Sequence, residues 1–312
     1  MEEQLIELRA LAAKAENRFT ATGIPRVAMV QGKIPEHELA AVYDPMINLI
    51  LRGSKSMTVG DRTLHYSPAT YFVMSIDLPA VGTVWPSDTG APYLAVALTL
   101  QPTVIASLLD DLPKNAEHEK ADSGFSVAAV TSDLMDAWVR MLRLMQRPAD
   151  IPALASVYER EILYRVLQGP QGAMLREIAR PDSAMARVSL AIQWIRRDFA
   201  RPLRIEALAG RAAMSESAFH RHFKAVTALS PLQYQKHVRL LHARTLLVVG
   251  GRSVTSAALE VGYESPTQFS REYARAFGLP PARDTERILA TYAPRVDDGA
   301  ADSARRQLAH AD

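Results

Sequence analysis

The chain has 312 residues, 48% of them hydrophobic and 22% charged, with a net charge of +2 and no cysteine. That length and mix suit a soluble protein of two ordinary domains plus a tail, and the lack of cysteine excludes disulfides, zinc fingers, cysteine nucleophiles and thiol redox sensing. No apolar run reaches the roughly 18 residues of a membrane span, and the acidic start is unlike a signal peptide, so a cytoplasmic protein is expected.

Residues Glu2–Phe19 read as an amphipathic helix. From Ile24 to about Leu100 the texture changes to short apolar runs: Arg26–Gln31, Met46–Arg52, Lys55–Val59, Arg62–Tyr66, Tyr71–Ile76, Val81–Trp85 and Tyr93–Leu100. Turn residues such as Gly53-Ser54 and Ser67-Pro68 separate them, and Val59-Gly60-Asp61-Arg62 reads as a hairpin turn. Strands at this spacing predict a small β-sandwich or barrel over about 24–100. Tyr43, Phe72, Met74, Trp85 and Tyr93 are candidates to line an apolar effector pocket there, against the plainer reading of core packing. The region holds only His37 and His65, 28 positions apart, and His37 sits in IPEHEL, which reads as an exposed turn. A metal site needs three or four converging ligands, so neither metal nor cofactor is expected. A phosphate loop and a nucleophile elbow are also missing.

Helices follow at Thr103–Asp110, Ser132–Gln146 and Ala153–Leu167. Leu134, Trp138, Met141, Leu142 and Met145 share one face of the second. That is more apolar surface than a small barrel needs to cover, so this face is the candidate seam of a homodimer. Gly169-Pro170 stops the third helix, and Ala179–Asp182 reads as a hinge. The expected division is 1–180 for an effector and dimerisation domain, with its helices at about 103–168. A helical domain at 184–293 and a disordered tail at 294–312 complete it, an α+β fold overall.

The charge is divided too. Residues 1–183 carry 17 Lys+Arg against 22 Asp+Glu, whereas 184–293 carry 16 against 8. A localised basic excess favours nucleic acid, because Lys and Arg neutralise phosphates and release counterions. The basic segment also contains a repeat. SESAFHRHFKAVTALSPLQY (Ser215–Tyr234) aligns at an offset of 50 with SPTQFSREYARAFGLPPARD (Ser265–Asp284), sharing Ser215/Ser265, Phe219/Phe269, Arg221/Arg271, Leu229/Leu279 and Pro231/Pro281.

Each copy has a serine cap followed by a helix. Phe219, Phe223 and Val226 form the inward face of the first copy; Phe269, Tyr273 and Ala276 form that of the second. Outward lie Ser217, His220 and Arg221, and in the second copy Thr267, Gln268, Ser270 and Arg271, residue types that reach base edges. Lys224, Arg239 and Arg275 are the candidate phosphate contacts. Ala184–Phe199 reads as a supporting helix, and a helix from Pro231 to Val249 would space the two readers along one duplex. In the turns, Gly262 tolerates a left-handed backbone; the matching position in the first copy is Ala212, where strain of roughly 1 kcal/mol would follow.

Over Arg187–Asp284 these residues resemble the AraC/XylS family of bacterial transcription regulators. The resemblance rests on AIQWIRRDFARPL, LAGRAAMSESAFHRHFKAVTALSPLQY, KHVRLLHARTLL and ALEVGYESPTQFSREYARAFGLPPARD. The segment YDPMINLILRGSKSMTVGDRTLHYSPATYFVMSIDLPAVG is similar to the cupin-like effector domain of one subgroup. The resemblance implies promoter DNA as partner, a homodimer, and a small-molecule effector in the N-terminal barrel. RNA polymerase is a further candidate partner, and the setting would be the bacterial nucleoid. Two other readings stay open: a cupin-type metal enzyme, isomerase or dioxygenase, with a helical appendage, and a protein-interaction adaptor. The basic balance of 184–293 disfavours the adaptor.

Overall fold

The computed structural model describes residues 1–16, 19–32, 37–112, 121 and 123–292. The first helix, α1 (Glu2–Leu11), is shorter than the sequence pattern suggests, because Phe19–Ala21 leaves it to form strand β1 and pair with β2 (Val27–Gly32). Strand pairing here overrides local helix propensity. Next come β3 (His37–Tyr43), β4 (Met46–Arg52), β5 (Ser54–Val59), β6 (Arg62–Tyr66), β7 (Thr70–Met74), β8 (Leu78–Trp85) and β9 (Tyr93–Thr99). Helix α2 (Pro102–Leu109) then leads to β10 (Phe125–Ala129). The strands β3 and β10 are absent from the sequence pattern, one because IPEHEL is polar, the other because it follows a helix.

The strands form two antiparallel sheets, ordered β1-β2-β9-β4-β7-β10 and β3-β8-β5-β6. They make a cupin-like pair of sheets rather than a closed barrel. Side chains alternate between faces, so register sorts them. The stacking of Tyr66 on Phe72, with ring centroids 5.3 Å apart, marks the face where the sheets meet. Asn48 and Ala97 lie beside Phe72 on that face. On the other sheet, Lys55 stands between Tyr66 and Val84.

Helices α3 (Ser132–Arg143), α4 (Ile151–Leu167) and α5 (Gly172–Ala179) cover the sandwich. Leu134, Trp138, Met141 and Leu142 are each 2% exposed or less, and Met145 is half-buried. These side chains pack inside the chain, with α3 against α1 and α4. They are not a dimer seam. The reason is the six-stranded sheet, whose outer face is also apolar (Ile47, Leu49, Val73 and Val96 are all fully buried) and needs that cover.

The second domain consists of α6 (Ala184–Arg197), α7 (Ile205–Arg211), α8 (Glu216–Thr227), α9 (Pro231–Val248), α10 (Val254–Glu260), α11 (Pro266–Phe277) and α12 (Pro281–Tyr292). Serine hydroxyls cap five of these helices, at Ser183, Ser215, Ser230, Ser253 and Ser265. Each satisfies a backbone N–H of the first turn. At Ser230 the Gln233 side chain completes a capping box. The segment 294–312, expected to be disordered, lies outside the described residues.

Burial does not divide where the sequence suggests a hinge. One cluster of buried apolar residues runs from the sandwich through α6 and α8 to Tyr234 and Val238. A second, smaller cluster holds Leu240, Leu247, Val261, Phe269, Tyr273 and Phe277. The first repeat unit is thus seated on the sandwich. Gly124 N–H donates to the Val226 carbonyl at 2.9 Å, and Tyr234 Oη donates to the Asp77 carbonyl at 2.9 Å. The Arg196 guanidinium bridges Asp77 and Asp44, the latter at 3.1 Å.

Candidate functional site

Two helices, α8 and α11, carry the candidate readers, and aromatic anchors orient each. Phe219 and Phe223 are fully buried with centroids 5.5 Å apart; Phe269 and Tyr273 repeat this burial and spacing. Val226 completes the first set at 5% exposed. In α11 the third anchor is Phe277, not Ala276, which is exposed. Positions 269, 273 and 277 follow an i, i+4, i+8 row, and the Arg244 guanidinium lies over the Phe277 ring at 4.4 Å.

With the anchors inward, Ser217, His220, Arg221 and Lys224 are exposed on α8, and Thr267, Gln268, Arg271 and Arg275 on α11. Among the described residues, neither Arg221 nor Arg271 has an ion pair or hydrogen bond within the chain. Both are therefore unengaged donors, five N–H groups each. Two neighbours are partly committed: Ser270 Oγ donates to the Pro266 carbonyl at 2.9 Å, and Gln268 Nε2 donates to Glu272 Oε1 at 3.3 Å.

Arg239 departs from its expected role. Its guanidinium donates to the carbonyls of Phe199 (2.7 Å), Gly262 (3.0 Å), Ala200 (3.1 Å) and Arg201 (3.0 Å). Four of its five donors are committed to backbone, which leaves a single N–H and no fork for a phosphate. Arg239 is a clamp holding α9 to the end of α6 and to the turn before α11. The isolated basic residue looked like a phosphate ligand in sequence because carbonyls brought together by folding are invisible there.

The turn geometry also corrects the sequence alignment. Met214 N–H donates to the Ala209 carbonyl as Tyr263 N–H does to Ala258, an offset of 49, whereas the caps Ser215 and Ser265 are 50 apart. The second turn has one extra residue, Glu264. Ala212 is therefore relaxed, with φ −76°, and the left-handed residue of the first turn is Ala213 (φ 50°), matching Gly262 (φ 89°).

Between the sheets lies a second candidate site. Phe72 and Met74 are fully buried, Tyr93 is 1% exposed and Tyr43 is half-buried. Trp85 does not join them. On β8 it alternates with the inward Gly82 and Val84, so it points to the outer face. Sequence reading missed the polar members of this interior: Asn48, Lys55 and Tyr66, exposed 4%, 6% and 3%. Lys55 Nζ lies 5.0 Å from the centroid of the Tyr43 ring, over the space left by Gly82, where an added Cβ would come 2.8 Å from Lys55 Cε and 3.0 Å from Tyr43 Oη. Burial lowers the Lys55 ammonium to a pKa of about 8 and pushes the Tyr43, Tyr66 and Tyr93 phenols up. The available signal was a lysine alternating with serines in a strand whose inward face is set only by cross-strand register. The side chain of His37 lies outside the described set.

Comparison with known proteins gives a consistent picture. Residues 23–174 match the family described as AraC-type transcriptional regulator N-terminus, and residues 208–287 match a helix-turn-helix domain. The chain is 34% identical over 131 residues to the HTH-type transcriptional activator RhaS of Escherichia fergusonii, covering 41% of this chain and 46% of that protein. It is 30% identical over 145 residues to RhaS of Salmonella schwarzengrund, covering 46% and 51%. The chain thus spans about half the length of the curated relatives it matches. Among solved structures, unsaturated fatty acid-bound ToxT from Vibrio cholerae superimposes with a TM-score of 0.55 at 12% identity, over 87% of this chain and 96% of that one. An apo structure of a ToxT variant from the same organism gives 0.53 over 83% and 96%, also at 12% identity. These likenesses show the fold.

Proposed function

From its membership of the AraC-type transcriptional regulators, the family to which this chain belongs, we propose a sequence-specific DNA-binding regulator that responds to a small molecule. It would act in the cytoplasm, where the chromosome is. The observation that carries the reading is the pair of unengaged arginines, Arg221 and Arg271, at the same helical position of two aromatic-anchored, serine-capped helices. Arginine bonds guanine O6 and N7 together, worth roughly 1–3 kcal/mol of discrimination per contact. Ser217, His220, Thr267, Gln268 and Ser270 flank the arginines as further base-edge candidates, and Lys224 and Arg275 as phosphate contacts.

The effector reading rests on the interior between the sheets, lined by Tyr43, Phe72, Met74 and Tyr93. Fatty acid-bound ToxT supports a small molecule with an apolar body as the ligand of such a fold. The test is selection of bound sequences from a random duplex library by the whole chain, followed by footprinting of Arg221→Ala and Arg271→Ala. Each variant should relax base preference over its own half of the site, leaving circular dichroism unchanged. Wild-type footprints from both would refute the assignment, and binding that salt does not weaken would refute DNA as the partner.

A further inference from the structure

The interior between the sheets holds more polar groups than it satisfies. Tyr66 Oη, Tyr93 Oη and Asn48 Oδ1 are buried with no hydrogen-bond partner. Lys55 is only 6% exposed, and among the described residues it has no ion pair, only the face of Tyr43. An unpaired buried ammonium and unsatisfied buried phenols are each costly, and native interiors rarely keep either without a use. They are also near one another. Tyr66 lies directly across from Lys55 on β6, and the Tyr66, Tyr93 and Tyr43 phenols sit close enough for each ionisation to disfavour the next. The rest of the lining is apolar or small: Phe72 stacks on Tyr66, Val84 stands beside Lys55, and Gly82, Ala95 and Ala97 have little or no side chain.

We propose that this interior binds a small organic acid, its carboxylate held by the Lys55 ammonium and the Tyr66 and Tyr93 hydroxyls, its apolar body packed against Phe72 and Val84. The inference deepens the effector reading and rests on it. The chemistry selects the ligand class. A carboxylate brings the missing negative charge and accepts from both phenols, giving charge-assisted bonds in place of three unsatisfied groups. A sugar would supply hydroxyls but no counter-charge, and a hydrocarbon would satisfy nothing. Seating the acid requires Lys55 and Tyr43 to move off the space above Gly82.

The experiment is calorimetric titration of the full chain, without DNA, with benzoate, phenylacetate, octanoate and oleate, each beside its neutral primary amide. At least one acid should bind about tenfold or more tightly than its amide. Lys55→Met should erase that preference while melting no lower than the wild type, since it removes a buried unpaired charge. Tyr93→Phe should weaken the acid and leave its amide nearly unchanged. Equal binding of acids and amides, binding by none of the four acids, or an unchanged preference in Lys55→Met would each overturn the proposal. DNA recognition is read separately through Arg221 and Arg271, so either reading can fail without the other.

Discussion

The two helix-turn-helix units repeat the same anchors, caps and outward arginines, yet the chain holds them in different ways. The first shares a continuous buried cluster with the sandwich and meets it through Val226, Tyr234 and the Arg196 bridge. The second has its own small cluster on α9, which meets the sandwich only at its edge, through Ala40 and Val42 of β3. Polar clamps take the place of core volume there. Arg239 ties four carbonyls together, and Arg244 pairs with the fully buried Asp284 at 2.9 Å while Tyr273 and Arg287 also donate to Asp284. Similar sequence can thus build one reader that is an extension of the effector domain and another that depends on a few ionic contacts. Whatever changes the sandwich reaches the first unit through a shared core, and the second through α9 and the edge contacts of Ala40 and Val42.

The sharpest way to break this contrast is Asp284→Ala. Removing one partner of a buried ion pair typically costs about 3–5 kcal/mol, because the other charge is left unpaired. Hydrogen exchange should show α11 and α12 opening while amides of α8 and the sandwich keep their protection. Equal loss of protection in both units would mean that they fold as one body.

Gly262→Ala comes next. The left-handed backbone alone costs a non-glycine residue about 1–3 kcal/mol, and the new Cβ would sit 2.0 Å from the Ala200 carbonyl oxygen, at the point Arg239 clamps. Thermal melting should show a lower-temperature transition belonging to the second unit. The converse change in the first unit, Ala213→Gly, relieves left-handed strain of roughly 1–2 kcal/mol but adds roughly 0.4–1 kcal/mol of unfolded-chain entropy, so a net gain between zero and about 1.6 kcal/mol is expected. Ala228, at φ 60° where the second unit has Gly278 at φ 77°, repeats the pattern at the other end of the reading helix. A loss of stability in Ala213→Gly would show that the first turn is held by its contacts and not strained.

Much of this was legible in the chain. Seven of the strands, the covering helices α3 and α4, the caps Ser215 and Ser265 and the anchors Phe219, Phe223, Phe269 and Tyr273 follow from periodicity and turn residues, which are local signals. What was hidden depended on contacts distant in sequence. Whether Lys55 faces in or out is decided by its register with Tyr66 and Val84, and Trp85 is displaced outward by the same rule. The apolar face of α3 could equally have met a second copy; only the packed sheet shows that it is already covered. Arg239 reads as a surface cation until the end of α6 and the turn at Gly262 converge on it. The extra residue Glu264 is silent in a gap-free alignment, which is why the strained position is Ala213 and not its neighbour.

The smallest expected effect probes the joint between sandwich and first unit. Asp77 is raised from its ordinary value to about 6, first by burial and then by the neighbouring Asp44, with Arg196 opposing both. A carboxyl that holds its proton more tightly when folded stabilises most below its unfolded value near 4, and that contribution is lost as pH rises through about 6. Asp44→Asn removes the like charge, leaving Arg196 to favour ionised Asp77, so the folded value falls and less stability is lost over that window. Unfolding free energies from urea titration at pH 4.5 and 7 should therefore lie closer together in Asp44→Asn than in the wild type, by about 1 kcal/mol or less, since Asp44 is exposed and solvent screens it. The difference should appear in probes on α8 and be absent from α11, because the second unit makes no contact with this bridge among the described residues. An equal shift in both helices would mean that the ionic joint steadies the whole chain and that the first unit has no privileged link to the sandwich.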